Sequence, residues 1–174
     1  RAVRRAMAGL GLAAHAVPRR ADRAPAWPEG VTGSITHSDS GCLAAIAPAN
    51  MLRAIGIDME PDTPLTAELT ELIATPEERR RLLACPDGRR RARMIFAAKE
   101  AAYKCQYTLS GRLLDFHDLE LEFDPDEAGF EATFTCDVGS FHRGDRLAGR
   151  IARAGGHILT CVFIRAPEAP GEDG

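Results

Sequence analysis

The sequence has no long apolar run. No stretch approaches the roughly 18 residues that a membrane-spanning helix requires, and the opening RAVRRAMAGL lacks the extended apolar core of a secretory signal. Neither a membrane protein nor a secreted one is expected, and the cytoplasm is the expected compartment. Charge of one sign is also scarce. The net formal charge is −3 over 174 residues, so the molecule as a whole has no field to gather nucleic acid or an anionic membrane, and any anion site must be local. Paired cysteine patterns are missing as well. Cys42, Cys85, Cys105, Cys136 and Cys161 are odd in number and widely spaced, with no C-x-x-C and no histidine at metal spacing. A disulfide scaffold and a zinc site are thereby excluded, and reduced, buried thiols are expected.

What is present suits one sizeable core: 45% of residues are hydrophobic and 27% charged. Val3, Met7 and Leu10 recur at helical spacing until Gly9 and Gly11 end the pattern. Because Arg1 already lies inside that pattern, part of the first element is expected to precede it. From Pro18 to Gly30, prolines and charges argue for an irregular surface segment whose arginines are free to meet a ligand. VTGSITHS, CLAAIA and RAIGIDME then read as an antiparallel set of strands separated by turn residues, and their alanines and glycines predict close packing against a helix. Thr75-Pro76-Glu77-Glu78 supplies an N-cap, a first-turn proline and a capping-box glutamate. Residues 89–106 contain neither proline nor glycine and put Met94, Ala98, Ala101, Ala102 and Cys105 on one face, the longest helix expected. DLELEF, GFEATFTC, RLAGRIAR and HILTCVFI read as strands, the last two joined by a Gly155-Gly156 hairpin signal. The fold class is therefore α+β, with a domain over 1–165 and a disordered tail over 166–174, where proline, glycine and acid dominate.

Two clusters carry chemistry. In IGIDMEP, Asp58 and Glu60 are two apart, which on a strand points both carboxylates to one face. Such a pair either suits Mg²⁺, which takes hard oxygen ligands and keeps waters, or is a solvated strand end. In FAAKEAAYK, Lys99, Glu100 and Lys104 lie on the long helix. Glu100 and Lys104 are spaced as an ordinary surface pair, yet the flanking residues are apolar, and charges on a buried helix need a partner or a ligand. A carboxylate to accept a proton and an ammonium to neutralise a leaving phosphate would serve phosphoryl chemistry.

GVTGSITHS, IGIDME and FAAKEAAYK, in that order, with RAPAWPEG before the first and TPEERRRL between the last two, resemble the 4′-phosphopantetheinyl transferase superfamily. The resemblance is to the branch serving enterobactin, surfactin and related carrier-protein synthases, and covers about Arg1 to Phe116. It implies a pseudo-dimeric fold of two similar α/β halves, about 1–65 and 66–165, with the active site between them. No repeat is visible residue by residue. It also implies transfer of 4′-phosphopantetheine from coenzyme A to a serine of an apo acyl or peptidyl carrier protein, by a monomer that needs neither nucleic acid nor membrane.

By the same resemblance Asp58, Glu60 and Glu100 are Mg²⁺ ligands, with Met59 able to offer only a backbone oxygen. Glu100 also helps deprotonate the carrier serine, and Lys104 contacts the coenzyme phosphates. Thr36 and His37 occupy the family's Ser-His position at a coenzyme phosphate, Arg23 lies beside the nucleotide, and Leu114 lies beside the bound coenzyme. Thr36 replaces a common serine, and Ala97 replaces a frequent small hydroxyl residue. Relatives also carry basic phosphate-contacting residues upstream of the helix that opens here with Arg1. The competing readings are a coenzyme A-binding protein that has lost catalysis and an unrelated Mg²⁺-dependent phosphodiesterase. The arginines at 79–81, 89–91 and 93 form a solvated helix face or dock an acidic carrier.

Overall fold

The computed structural model describes residues 1–13, 15–39 and 41–167. Turn chemistry sets most element boundaries. The expected first helix is α1 (Ala2–Gly9), and β1 (Val31–Ser38), β2 (Gly41–Pro48) and β3 (Leu52–Pro61) follow the irregular segment. Next come α2 (Ala67–Ile73), α3 (Pro76–Leu83) and α4 (Gly88–Ser110). A 3₁₀ turn at Phe116–Asp118 leads to β4 (Leu119–Phe123), β5 (Gly129–Phe134), β6 (Arg146–Ala154) and β7 (His157–Arg165). The class is α+β. Gly155 and Gly156 both take positive φ, 58° and 75°, the conformation that a two-residue hairpin of this type demands. The expected tail falls largely outside the described residues, although the Ala166 amide still donates to the Met51 carbonyl at 2.9 Å.

The first three strands do not form one sheet. β1 and β2 pair with each other, whereas β3 joins an antiparallel sheet of order β3-β7-β6-β5-β4, with Asp58 opposite Thr160. The reason lies in β1. Its buried face carries Thr32, Ser34 and Thr36, and these hydroxyls cover the free edge of β3 in place of a backbone ladder. Thr32 donates to the Arg53 carbonyl (3.4 Å), Ser34 accepts from the Ile57 amide (3.1 Å), and Thr36 donates to the Asp58 carboxylate (2.9 Å). An edge strand presents unpaired amides and carbonyls that need such cover.

The long helix α4 packs on the face of β3 that carries Gly56 and Asp58, closer than side chains ordinarily permit. A Cβ on Gly56 would fall 1.8 Å from the Ala101 carbonyl oxygen and 2.6 Å from the Cys105 nitrogen. Ala97, Ala98, Ala101 and Ala102 are fully buried along this contact, as the small residues of β3 and the apolar face of α4 predict. The Thr160 hydroxyl reaches from β7 to the Ala97 carbonyl at 2.8 Å. Burial pushes the Cys105 thiol up to about 12.

A buried ion pair fixes the far side of α4. Lys99 donates to the Glu78 carboxylate (2.8 Å) and to the carbonyls of Ile73 (2.9 Å) and Phe116 (2.7 Å). Glu78 completes the capping box with Thr75 that the sequence predicts and also accepts from the Leu121 amide at 2.7 Å. Burial pushes the Glu78 carboxyl up and the Lys99 ammonium down, and the attraction between them opposes both shifts. One pair thus ties α2, α3, α4, the 3₁₀ turn and β4 together.

Gly56→Ala should lower the stability measured by urea denaturation by about 3 kcal/mol or more, since backbone rather than a flexible side chain must move aside. Lys99→Met, which leaves Glu78 buried and unpaired, should cost about 3–5 kcal/mol, and adding Glu78→Gln should recover part of that loss in the same measurement. Because the folded Cys105 thiol keeps its proton up to about 12, whereas an unfolded one ionises near ~8.5, its contribution to stability is complete below that value and is lost as pH rises above it. Urea midpoints between about pH 8.5 and 10.5 should therefore fall less steeply for Cys105→Ala.

Candidate active site

The alternation of β3 turns Asp58 and Glu60 toward α4, where Glu100 and Lys104 project one helical turn apart. Asp58 is buried. Its Oδ1 accepts from Lys104 Nζ at 2.6 Å and from the Thr36 hydroxyl at 2.9 Å, while its Oδ2 is buried with no hydrogen-bond partner among the described residues. Lys104 also donates to the Ile57 carbonyl (3.3 Å) and stands 3.9 Å from the Glu100 carboxylate. Glu60 accepts from Arg93 at 2.8 Å, and Arg93 reaches the Thr63 carbonyl at 3.3 Å.

Glu60 and Glu100 both respond to their surroundings. Burial and then the charge of Asp58 push the Glu60 carboxyl up, against the pull of Arg93. Burial likewise pushes Glu100 up; Lys104 opposes this, while Asp58 and Glu60 add to it. Converging acids and an unpartnered Asp58 oxygen are the donor chemistry of a hard divalent cation, so Mg²⁺ fits Asp58, Glu60 and Glu100. The cage is not preformed: among the described residues no three histidine, cysteine or acidic side chains make a ready metal set, since Lys104 and Arg93 already hold Asp58 and Glu60. The Met59 side chain is buried and lies toward β2, 3.9 Å from where a Cβ on Gly41 would sit, which leaves its backbone as the only donor there.

Lys104 also lines a cleft of about 600 Å³ between β1, α4 and the irregular segment. Arg19, Arg20, Arg23 and His37 line it too, with Trp27, Tyr103 and Tyr107 as its aromatic surface. A basic cavity of this size suits an anionic, ring-bearing ligand. A smaller cavity, about 270 Å³ and lined in part by Arg81 and Arg91, has those arginines paired with Glu120 and Glu127.

The structure sorts the sequence candidates. Asp58, Glu60, Glu100 and Lys104 come together, and Arg23 and His37 share the adjoining cleft. Thr36 faces away from His37, with its hydroxyl engaged by Asp58. Leu114 packs against the hydrophobic core and is not among the residues lining the cleft. Of the two lysines in the chain, Lys104 belongs to the site and Lys99 to the buried pair. Most arginines of the basic clusters are struts: Arg80 pairs with Glu77, Arg81 with Glu120, Arg90 with Asp62, Arg91 with Glu127 and Arg93 with Glu60. Sequence reasoning missed Tyr103 and Tyr107, whose spacing of four beside Lys104 was the available signal. It also missed the alternating hydroxyls of β1.

Residues 54–161 match the family model described as 4′-phosphopantetheinyl transferase superfamily, and residues 1–47 match that of the 4′-phosphopantetheinyl transferase N-terminal domain. The chain is 36% identical over 155 residues to the 4′-phosphopantetheinyl transferase Svp of Streptomyces mobaraensis, covering 86% of this chain and 63% of that protein, so it spans less than two thirds of that relative's length. It is 39% identical over 85 residues to the enterobactin synthase component D of Escherichia coli K12, covering 47% of this chain and 39% of the other. The crystal structure of Thermotoga maritima holo-[acyl-carrier-protein] synthase shares the fold, with a TM-score of 0.51 at 22% identity over 67% of this chain and 66% of that one.

Proposed function

The chain belongs to the 4′-phosphopantetheinyl transferase superfamily, and on that premise we propose that it transfers 4′-phosphopantetheine from coenzyme A to a serine of an apo acyl or peptidyl carrier protein, releasing adenosine 3′,5′-bisphosphate. The observation that carries this reading is the position of Lys104, which touches Asp58 beside Glu100 and also lines the basic cleft. A charged cluster for phosphoryl chemistry thus opens directly onto a site for a polyanion. No described helix is long and apolar enough to cross a membrane, and we take the enzyme to act in the cytoplasm.

In this reading the cleft receives the nucleotide end of coenzyme A, with Arg19, Arg20, Arg23 and His37 toward its phosphates. Glu100, its carboxyl raised by burial, is a stronger base than an exposed carboxylate and is suited to accept a proton. It takes the proton of the carrier serine. The serine oxygen bonds to the phosphorus that bears pantetheine, the bond from that phosphorus to the bridging oxygen breaks, and its electron pair leaves with the nucleotide. The ammonium of Lys104 offsets the charge on the departing phosphate. Asp58 orients Lys104, and Thr36 orients Asp58. Mg²⁺ at Asp58, Glu60 and Glu100 would supply further positive charge to the pyrophosphate.

The test is intact-mass measurement of an apo peptidyl carrier protein after incubation with this protein, coenzyme A and Mg²⁺, with EDTA as control. A metal-dependent gain of one phosphopantetheine is expected. Asp58→Ala and Glu100→Ala should each abolish it while the protein stays folded at the assay temperature, and full turnover in either would sink the assignment. His37→Ala should raise the coenzyme concentration needed for half-maximal rate. Coenzyme binding without transfer would instead favour a relative that has lost catalysis.

A further inference from the structure

The cleft holds one acid among its charged lining residues. Arg19, Arg20, Arg23 and Lys104 are accompanied there by Asp22. For a polyanionic ligand this carboxylate is unfavourable at any distance within the cleft, and Coulombic reasoning alone says that removing it should tighten binding.

The hydrogen bonds of Asp22 give a different answer. Its Oδ1 accepts from the Ala24 amide at 3.0 Å, and its Oδ2 accepts from the Tyr107 hydroxyl at 3.1 Å, a contact between residues 85 apart in the chain. Around it the chain makes a small turn that belongs to neither sheet. Arg19 bridges to Pro25, the Arg20 amide donates to the Ala24 carbonyl (2.8 Å), the Arg23 amide to the Arg20 carbonyl (3.0 Å), and the Ala26 amide to the Pro18 carbonyl (2.8 Å). Arg23 sits in this turn at φ 68°, a left-handed conformation uncommon outside glycine, which needs support from its surroundings. Tyr107 is itself braced, its ring 5.7 Å from that of Tyr103 one helical turn away. The bond from Asp22 to Tyr107 therefore fastens the arginine-bearing turn to α4, the helix that carries Glu100 and Lys104.

We propose that Asp22 is a positioning residue: by bonding the Ala24 amide and the Tyr107 hydroxyl it holds Arg19, Arg20 and Arg23 over the cleft, already arranged for the phosphates of a nucleotide. Preorganisation outweighs the repulsion from its own charge. The proposal rests on the reading of the cleft as a coenzyme A site, and it gives the opposite sign from electrostatics for the same substitution.

Trp27 is the only tryptophan of the chain and lines the same cleft, so its fluorescence reports both on the turn and on ligand. The experiment is a coenzyme A titration of the full chain and of its Asp22→Ala, Asp22→Asn and Tyr107→Phe variants, preceded by Trp27 anisotropy without ligand and by thermal melts. Asp22→Ala should bind about tenfold more weakly and show lower ligand-free anisotropy. Asp22→Asn keeps an acceptor for Ala24 and a hydrogen-bonding group for Tyr107, and should bind at least as tightly as the parent with normal anisotropy. Tyr107→Phe should weaken binding about threefold, roughly half the tenfold effect on a free-energy scale, and carries the test should Asp22→Ala melt below the assay temperature. Equal or tighter binding by Asp22→Ala overturns the proposal and leaves the coenzyme reading standing. A parent chain that binds no coenzyme A overturns that reading, and unchanged anisotropy in Asp22→Ala then overturns the positioning role as well.

Discussion

The absence of a side chain at position 56 sets the geometry of the whole site. With the Ala101 carbonyl 1.8 Å from where a Cβ would be, β3 and α4 meet backbone to backbone. Layers that meet through side chains stand well apart, about 10 Å for two stacked sheets. Here the short separation lets Asp58, the second residue after Gly56, share a 2.6 Å bond with Lys104. Glu100 and Lys104 bracket Ala101 on the helix, just as Gly56 and Asp58 neighbour each other on one face of the strand. The cluster of Asp58, Glu100 and Lys104 thus depends on a contact to which no charged side chain contributes.

Around that contact, two cations keep three acids together. Burial and the charge of Asp58 hold the Glu60 and Glu100 carboxyls up, Lys104 counters this at both, and Arg93 counters it at Glu60. The arrangement resembles a spring under load: the acids are crowded, the counter-charges are already in place, and the remaining unpartnered oxygen on Asp58 marks where crowding is least relieved. Lys104 links this cluster to the cleft, so anything that draws its ammonium toward a phosphate also changes the balance at Asp58.

Local signals in the sequence were reliable because local physics produced them. The i, i+2 placement of Asp58 and Glu60, the box at Thr75 and Glu78, the face of small residues on α4 and the Gly155-Gly156 turn all depend on neighbours within four positions. What could not be read depended on distant partners. Order along the chain groups β3 with β1 and β2, but its partner is β7, about a hundred positions on. Lys99 and Glu100 are adjacent letters with unrelated surroundings, since a step of one residue turns a helix by about 100°. The arginine clusters read as a solvated face or a docking surface, yet most are held by carboxylates contributed from other elements. By sequence alone Asp22 is one more charge in a surface segment, because nothing nearby announces Tyr107.

The hydroxyl row on β1 constrains which sequences can share this fold. A strand paired through its backbone accepts almost any side chain along its edge, but a strand covered by Thr32, Ser34 and Thr36 has moved that requirement into the genetic text. Serine and threonine are interchangeable there in principle, since each carries the same donor and acceptor on Cβ. Valine, which has nearly the shape of threonine, is not equivalent, because it would leave an edge amide, an edge carbonyl or the Asp58 carboxylate without its partner. Related chains should therefore drift freely between two letters at these positions while avoiding a third that differs from threonine by a single atom.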